Sequence, residues 1–182
     1  RRLEKIAIHQ GRVTSVYEDR VRFPSGFEAE YLYVERPLSV AILPIIVEGE
    51  NYNTILVKQH RYPIQAYPLQ FPMGFCDKGV TPTQQAKDEL LEETGYQADT
   101  VIEVGEYFHD PGLNTQSSKI FIAPDVKNTY EQHLDNTEDI QIKKVPINTL
   151  DALIEQGKIC DALTITQVYF LKRYLRHHYL NL

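Results

Sequence analysis

The sequence predicts a layered domain of the α+β or α/β class, and three observations support this. Strand-like apolar runs come first, a well-capped helix follows, and further strands precede two more helices. The chain has 182 residues, of which 42% are hydrophobic and 24% charged, as in ordinary globular proteins. We therefore expect one main domain and a short N-terminal extension.

The first third of the chain has the pattern of strands. Residues 12–36 predict a hairpin, because apolar residues alternate on either side of a Pro24-Ser25-Gly26 turn. Residues 39–47 and 54–59 are nearly continuous apolar runs, which is typical of buried central strands.

The best-delimited element is a helix that begins after Thr81 and ends near Thr94. Thr81 is the expected N-cap, Pro82 suits the first helical position, and Gln84 would complete a capping box. Gly95 suits the left-handed residue that follows a helix.

The remaining segments predict a functional loop, more strands and two helices. Residues 60–80 contain three prolines and two glycines, and long loops in compact domains usually carry function. Strands are predicted at 101–107, 118–123 and 140–145, a turn at 111–114, a polar loop at 124–139, and helices at 150–156 and 162–178.

Composition excludes several classes of protein. The net charge is −6 with no basic stripe, which argues against a nucleic-acid partner. The longest apolar run, 40–47, is far too short to span a membrane and is interrupted by Pro44. Two cysteines, Cys76 and Cys160, form no disulfide framework, so we expect a reducing, cytoplasmic compartment.

An acidic face near the end of the predicted helix is the first functional signal. Glu89, Glu92 and Glu93 are spaced i, i+3 and i+4, so their carboxylates share one face. Like charges one turn apart cost about 0.2–0.5 kcal/mol per pair. A hard cation, Mg²⁺ or Mn²⁺, would relieve this repulsion. The alternative is an acidic face solvated by water.

The segment from Gly74 to Tyr96 resembles the Nudix box, G-x5-E-x7-R-E-U-x-E-E-x-G-U, where U is bulky and apolar. The matching positions are Gly74, Glu89, Leu90, Glu92, Glu93, Gly95 and Tyr96. Because five glycines and glutamates match at fixed spacing, coincidence is a poor explanation.

Two positions depart from the box. Val80 stands where the pattern has its first Glu, and Asp88 stands where it has Arg. In the family these two side chains pair and orient the catalytic helix. Their joint loss favours an alternative, a non-catalytic Nudix-fold binding module. The three retained glutamates argue against the binding module, because a site without catalytic function has no need of mutually repelling carboxylates.

The flanking sequence is similar to ADP-ribose pyrophosphatases. The similar segments are Gln59-His60-Arg61, Phe71-Pro72-Met73-Gly74, Pro111-Gly112-Leu113-Asn114, Glu138-Asp139-Ile140 and residues 157–162. Gln70 replaces a Glu that is usual in that subfamily, and Thr115-Gln116 replaces a frequent Asp-Glu.

The resemblance implies a fold and an activity. The fold is a Nudix α/β/α sandwich with a mixed central sheet at 38–182, preceded by a β-hairpin extension at 1–37 for dimerisation and substrate contact. The activity is metal-dependent hydrolysis of the pyrophosphate in a nucleoside diphosphate sugar, most simply ADP-ribose, by a homodimer. GDP-mannose or another sugar nucleotide is the alternative substrate.

The resemblance also implies the site residues. The metal ligands would be Glu89, Glu92, Glu93 and the backbone carbonyl of Met73, and Glu138 would be the general base. Arginine binds phosphate bidentately, so Arg36 and Arg61 are candidates for the substrate's phosphates or terminal ribose. Tyr17, Tyr31 and Tyr33 on the hairpin are candidates for stacking on the base.

Overall fold

The computed structural model describes residues 1–129 and 139–178, which divide into two compact units. The first unit comprises Arg1–Ser39 and Glu106–Ser118, and the second comprises the other described residues. The first unit therefore includes the predicted N-terminal extension and also a later segment.

The first unit is built on an antiparallel sheet of four strands. These are β1 (Arg2–Glu4), β2 (Ala7–Gln10), β3 (Ser15–Arg22) and β4 (Glu28–Glu35). β3 is central, with β1 and β2 on one edge and β4 on the other. The later segment joins the end of β4, because the Val34 N–H donates to the Leu113 carbonyl and the Thr115 N–H donates to the Val34 carbonyl.

The predicted hairpin is confirmed as β3 and β4. Tyr17 lies opposite Tyr33 and Asp19 opposite Tyr31, so all four side chains share one face. The sequence did not predict β1 and β2, which are three and four residues long and fully exposed. Such short strands have no buried face to produce an alternating pattern.

The other strands belong wholly or mostly to the second unit. They are β5 (Ser39–Pro44), β6 (Ile46–Glu48), β7 (Asn51–Gln59), β8 (Leu69–Gln70), β9 (Met73–Phe75), β10 (Tyr96–Gln97), β11 (Ile102–Phe108), β12 (Ser117–Ala123), β13 (Lys127–Asn128) and β14 (Ile140–Pro146). One sheet has the order β11-β12-β5-β9, a second the order β14-β7-β6 with β8 also on β7, and β10 pairs with β13.

Three α-helices accompany these sheets in the described chain. They are α1 (Pro82–Thr94), α2 (Leu150–Glu155) and α3 (Ala162–His178). Ala86 and Leu90 on α1 share a buried apolar cluster with Ile42, Ile55 and Phe121. This packing places α1 against β5, β7 and β12, and the mixed α/β class is confirmed. No helix among the described residues is long and apolar enough to cross a membrane.

The caps predicted for α1 are largely confirmed. The Thr81 hydroxyl accepts a hydrogen bond from the Gln84 N–H at 3.2 Å, and Gly95 has a φ of 70°. The predicted capping box is wrong in one half. Its second half needs the Gln84 side chain to accept a hydrogen bond from the Thr81 N–H. Instead, the Gln84 amide donates forward to Asp88 Oδ1 at 2.8 Å.

The predicted loop at 60–80 holds more structure than expected. It contains β8 and β9 and a short 3-10 turn at Tyr62–Ile64. Prolines at 63, 68 and 72 fall outside the two strands. They interrupt the segment without removing the backbone donors that β8 and β9 need.

Candidate metal centre and active site

The three glutamates of α1 occupy one helical face but differ in burial. Glu93 is only 3% exposed, Glu89 is half-buried and Glu92 is exposed. A buried carboxylate requires compensating hydrogen bonds or a cation. The contacts of Glu93 and Glu89 with β9 are therefore the centre of the site.

Glu93 is held against the backbone of Met73. Its Oε2 atom accepts a hydrogen bond from the Met73 N–H at 3.1 Å. The preceding carbonyl, of Pro72, accepts from the Ile42 N–H at 3.0 Å and so faces β5. Because successive residues of a strand direct their backbone groups to opposite edges, the Met73 carbonyl is expected on the same edge of β9 as the N–H that binds Glu93.

Glu89 lies directly against Gly74. A Cβ atom built on Gly74 would stand 1.8 Å from Glu89 Oε1 and 2.1 Å from the carboxyl carbon. Any larger residue at 74 would therefore displace this carboxylate. The glycine of the box is needed here for close approach, and not for an unusual backbone conformation.

A third contact, which the sequence did not predict, runs through Gln85. Its Nε2 donates to Glu89 Oε1 at 3.0 Å, and its Oε1 accepts from the Asp77 N–H at 3.0 Å. The bridging side chain itself is buried, because Gln85 is only 6% exposed. The sequence signal was a glutamine four residues before Glu89, on the same helical face.

The donor set suits Mg²⁺ as proteins usually bind it. Within the described residues, no three His, Cys, Asp or Glu side chains converge as a complete metal cage. Mg²⁺ does not require one, because it keeps several waters and binds through one or two carboxylates plus substrate phosphates. Glu89, Glu93 and the Met73 carbonyl offer hard oxygen donors of that kind. The predicted base, Glu138, lies outside the described residues.

The two departures from the box do not form a contact with each other that replaces the missing ion pair. The Val80 N–H donates to the Asp77 carbonyl at 3.1 Å, which closes a turn before α1. Asp88 accepts from the Gln84 amide within the helix. Asp88 and Lys87 also line a groove of about 420 Å³ on α1, beside Asp99 and Lys127.

Arg61 is bound to the residue that departs from the ADP-ribose pyrophosphatase pattern. Its Nε donates to Gln70 Oε1 at 2.6 Å, from the end of β7 to β8. A glutamine fixes the guanidinium without neutralising it, as the usual glutamate would. Gln70 therefore does not offset the positive charge that Arg61 offers to an anionic ligand.

Arg36 lies at the end of β4 in the first unit. Burial lowers the pKa of its guanidinium. Burial, followed by the charge of Arg36, also lowers the pKa of His109. The His109 Nε2 is hydrogen-bonded to the Ser118 hydroxyl at 2.6 Å, which is in turn bonded to Ser39 at 2.5 Å. A cation and an imidazole that resists protonation thus lie in one polar cluster.

The predicted stacking residues differ in accessibility. Tyr17 is 6% exposed, with the Tyr33 ring stacked at 5.4 Å and the Lys5 ammonium 3.9 Å from its ring centre. Tyr33 and Tyr31 line a cavity of about 310 Å³ in the first unit. Its other walls include Arg2, Asp19 and residues 111–115. This cavity offers aromatic surface, whereas the ring of Tyr17 is covered.

A family model decides the assignment. The NUDIX domain matches residues 35–165, which is most of the chain and includes the whole box and β9. This chain belongs to the Nudix family. The prediction of a Nudix hydrolase is confirmed. Gly74, Glu89 and Glu93 lie inside the matched range, at positions of the family's box.

Curated relatives of this Nudix protein span nearly its whole length. It is 29% identical over 171 residues to an ADP-ribose pyrophosphatase of Bacillus subtilis, covering 93% of this chain and 91% of that protein. It is 29% identical over 161 residues to a GDP-mannose pyrophosphatase of Yersinia enterocolitica, covering 84% and 76%. It is also 26% identical over 166 residues to a methanol dehydrogenase activator of Bacillus methanolicus, covering 91% and 88%.

A solved structure confirms the fold. A crystal structure described as an ADP compounds hydrolase superposes with a TM-score of 0.85, covering 98% of this chain and 95% of that one. The sequence identity is 21%. The predicted Nudix fold is therefore confirmed.

Proposed function

We propose that this Nudix protein hydrolyses the pyrophosphate bond of a nucleoside diphosphate sugar. ADP-ribose is the first candidate, giving AMP and ribose 5-phosphate with consumption of one water. The observation that carries the proposal is the fixing of Glu89 and Glu93 against Met73 and Gly74. Relatives named for ADP-ribose and GDP-mannose support the substrate class.

Glu89, Glu93 and the Met73 carbonyl would hold Mg²⁺, and Glu92 would hold a second ion or its water. Bound divalent ions neutralise phosphate oxygens and lower the pKa of water. The burial of Glu93 supports this set, because an ion would offset the cost of a buried carboxylate. The close contact at Gly74 limits the positions that Glu89 can take.

Each unit, taken by itself, offers further candidate groups for the substrate. Arg61, oriented by neutral Gln70, would bind a phosphate, and Arg36 would bind phosphate or the terminal ribose. Tyr31 and Tyr33 would receive the base in the cavity of the first unit. Glu138 remains the proposed general base.

We also propose a cytoplasmic homodimer in which residues 1–37 contact the partner. Several large apolar side chains of this segment are exposed, including Ile8, Phe27 and Leu32. Exposed apolar groups on one small sheet favour association. Light scattering of the full chain would test the dimer.

A substrate panel tests the activity. The protein would be incubated with ADP-ribose, ADP-glucose, GDP-mannose and UDP-glucose, with Mg²⁺ and an added phosphatase. The phosphatase releases phosphate from the monoester products but not from the intact diesters. We expect the highest rate on ADP-ribose. A higher rate on GDP-mannose would change the substrate, and no release from any member, together with measurable nucleotide binding, would favour the binding module.

A further inference from the structure

The junction between β9 and α1 lacks the ion pair that the Nudix box normally places there. Val80 and Asp88 stand at the two positions, and neither can restore the pairing of opposite charges. The end of β9, just before the loop 76–80, nevertheless meets the helix closely, since Gly74 lies against Glu89. Another contact must therefore join the loop to the helix.

Gln85 makes such a contact. It joins the backbone of Asp77, in the loop, to the carboxylate of Glu89, on the helix, with both hydrogen bonds at 3.0 Å. The Gln85 side chain is 6% exposed, whereas Glu89 is half-buried and Asp77 is exposed. Hydrogen bonds to a charged group are among the stronger ones in proteins.

The chemistry of the two partners restricts the residue at 85. The Asp77 N–H can only donate, and the ionised carboxylate of Glu89 can only accept. The bridging side chain must therefore offer an acceptor at one end and a donor at the other. An amide does this, whereas an ionised Glu offers only acceptors and a Lys offers only donors.

We propose that Gln85 is the positioning residue that replaces the missing ion pair of the box and orients Glu89 for metal binding. The inference rests on the proposed function, because it assigns Glu89 the role of a ligand. Gln85 holds the carboxylate at Oε1 while Gly74 bounds it from the side of β9. Residues that orient metal ligands in this way typically change metal affinity by about 10–100-fold when they are replaced.

The first test measures the binding of Mn²⁺ in the absence of substrate, with electron paramagnetic resonance as the readout. Gln85→Met keeps the length of the side chain but loses both hydrogen bonds. We expect its Kd for Mn²⁺ to rise by about 10-fold or more. Gln85→Asn, which is one methylene too short to reach both partners, should move in the same direction. Gln84→Met is the matched control on the exposed side of α1 and should leave the Kd unchanged.

The second test asks whether the ion pair of the box can restore the Mn²⁺ affinity that Gln85→Met loses. Val80→Glu with Asp88→Arg would be introduced into the wild type and into the Gln85→Met variant. If Gln85 replaces the pair, the pair should restore most of the Mn²⁺ affinity of Gln85→Met and change that of the wild type much less. Turnover of ADP-ribose should follow, with kcat at saturating Mg²⁺ affected less than the Mg²⁺ concentration for half-maximal rate.

The outcomes separate the two proposals. A lower thermal midpoint of Gln85→Met with an unchanged Kd for Mn²⁺ would show a structural role only and would overturn this inference. Failure of the pair to rescue Gln85→Met would also overturn it, while leaving the proposed function intact. Absence of Mn²⁺ binding by the wild type would overturn the metal-dependent function and this inference with it.

Discussion

Glu93, at the C-terminal end of α1, accepts a hydrogen bond from the backbone N–H of Met73 at 3.1 Å. A carboxylate is disfavoured at this end of a helix, because the helix dipole is negative there. Burial to 3% exposure adds to that cost. The contact with β9 offsets part of both, and it aligns the helix with the strand that supplies the candidate carbonyl ligand.

The metal-ligand assignment predicts large losses of activity from isosteric changes. Glu89→Gln and Glu93→Gln should each lower kcat on ADP-ribose by at least about 10²-fold, since each removes a negative charge that holds the ion. Both amides keep an oxygen that can accept the present hydrogen bonds, so thermal midpoints without metal should stay level or rise. Steady-state kinetics and thermal unfolding measure these effects.

The control for this prediction is Glu103→Gln. Glu103 forms an exposed ion pair with Lys119 on neighbouring strands, and exposed pairs contribute little to stability. Its kcat should be close to that of the wild type. Near-wild-type rates for Glu89→Gln or Glu93→Gln at saturating Mg²⁺ would contradict the assignment.

The close contact between Gly74 and Glu89 predicts a specific coupling in stability. Gly74→Ala should lower the free energy of unfolding by about 1–3 kcal/mol, because the new methyl group overlaps the carboxylate. Glu89→Ala removes the overlapping group, so Gly74→Ala should cost less in that background. Chemical denaturation of the four proteins gives the coupling energy. Equal costs in both backgrounds would show that the two residues do not meet.

The departures from the box predict a second coupling. Asp88→Arg alone should not greatly improve turnover, because an arginine without an acid at 80 can capture Glu89 or Glu92. Val80→Glu together with Asp88→Arg should give a higher turnover than the sum of the single changes, with only a small net change from the wild type. Contacting residues couple by about 0.5–3 kcal/mol. Additive effects on both turnover and thermal midpoint would mean that positions 80 and 88 do not face each other.

His109 predicts a pH dependence of stability. Burial and then Arg36 lower its pKa from the ordinary value of 6.5, so the unfolded chain binds this proton more readily than the folded chain. The free energy of unfolding should therefore fall as the pH drops below about 6.5. His109→Gln should flatten that dependence between pH 7 and 5. His9→Gln controls for removal of an exposed imidazole, and an unchanged slope in His109→Gln would refute the prediction.

Features encoded within a few residues were predictable from sequence. The N-cap Thr81, the terminal Gly95 and the shared face of the glutamates depend on helical spacing alone, and the structure confirms each of them. The box identified Gly74 only as a matching position, and its close approach to Glu89 came from the structure.

Features that depend on distant partners were not predictable in the same way. The Gln85 bridge depends on the direction of the Asp77 N–H, which becomes known only when the loop is placed against the helix. The joining of Glu106–Ser118 to the N-terminal sheet depends on backbone pairing with Val34, some eighty positions away. The covering of Tyr17 by Lys5 depends on the link between β1 and β2, two strands that were too short and exposed to detect.

The Gln85 bridge also affects how such proteins are recognised. A search pattern that requires an acid at 80 and an arginine at 88 would reject this chain, although its glycine and glutamates are in place. A pattern that accepts either that ion pair or an amide at position 85 would retain it. Among sequences that lack the ion pair of the box, such a pattern would separate those with an amide at position 85 from those with neither contact.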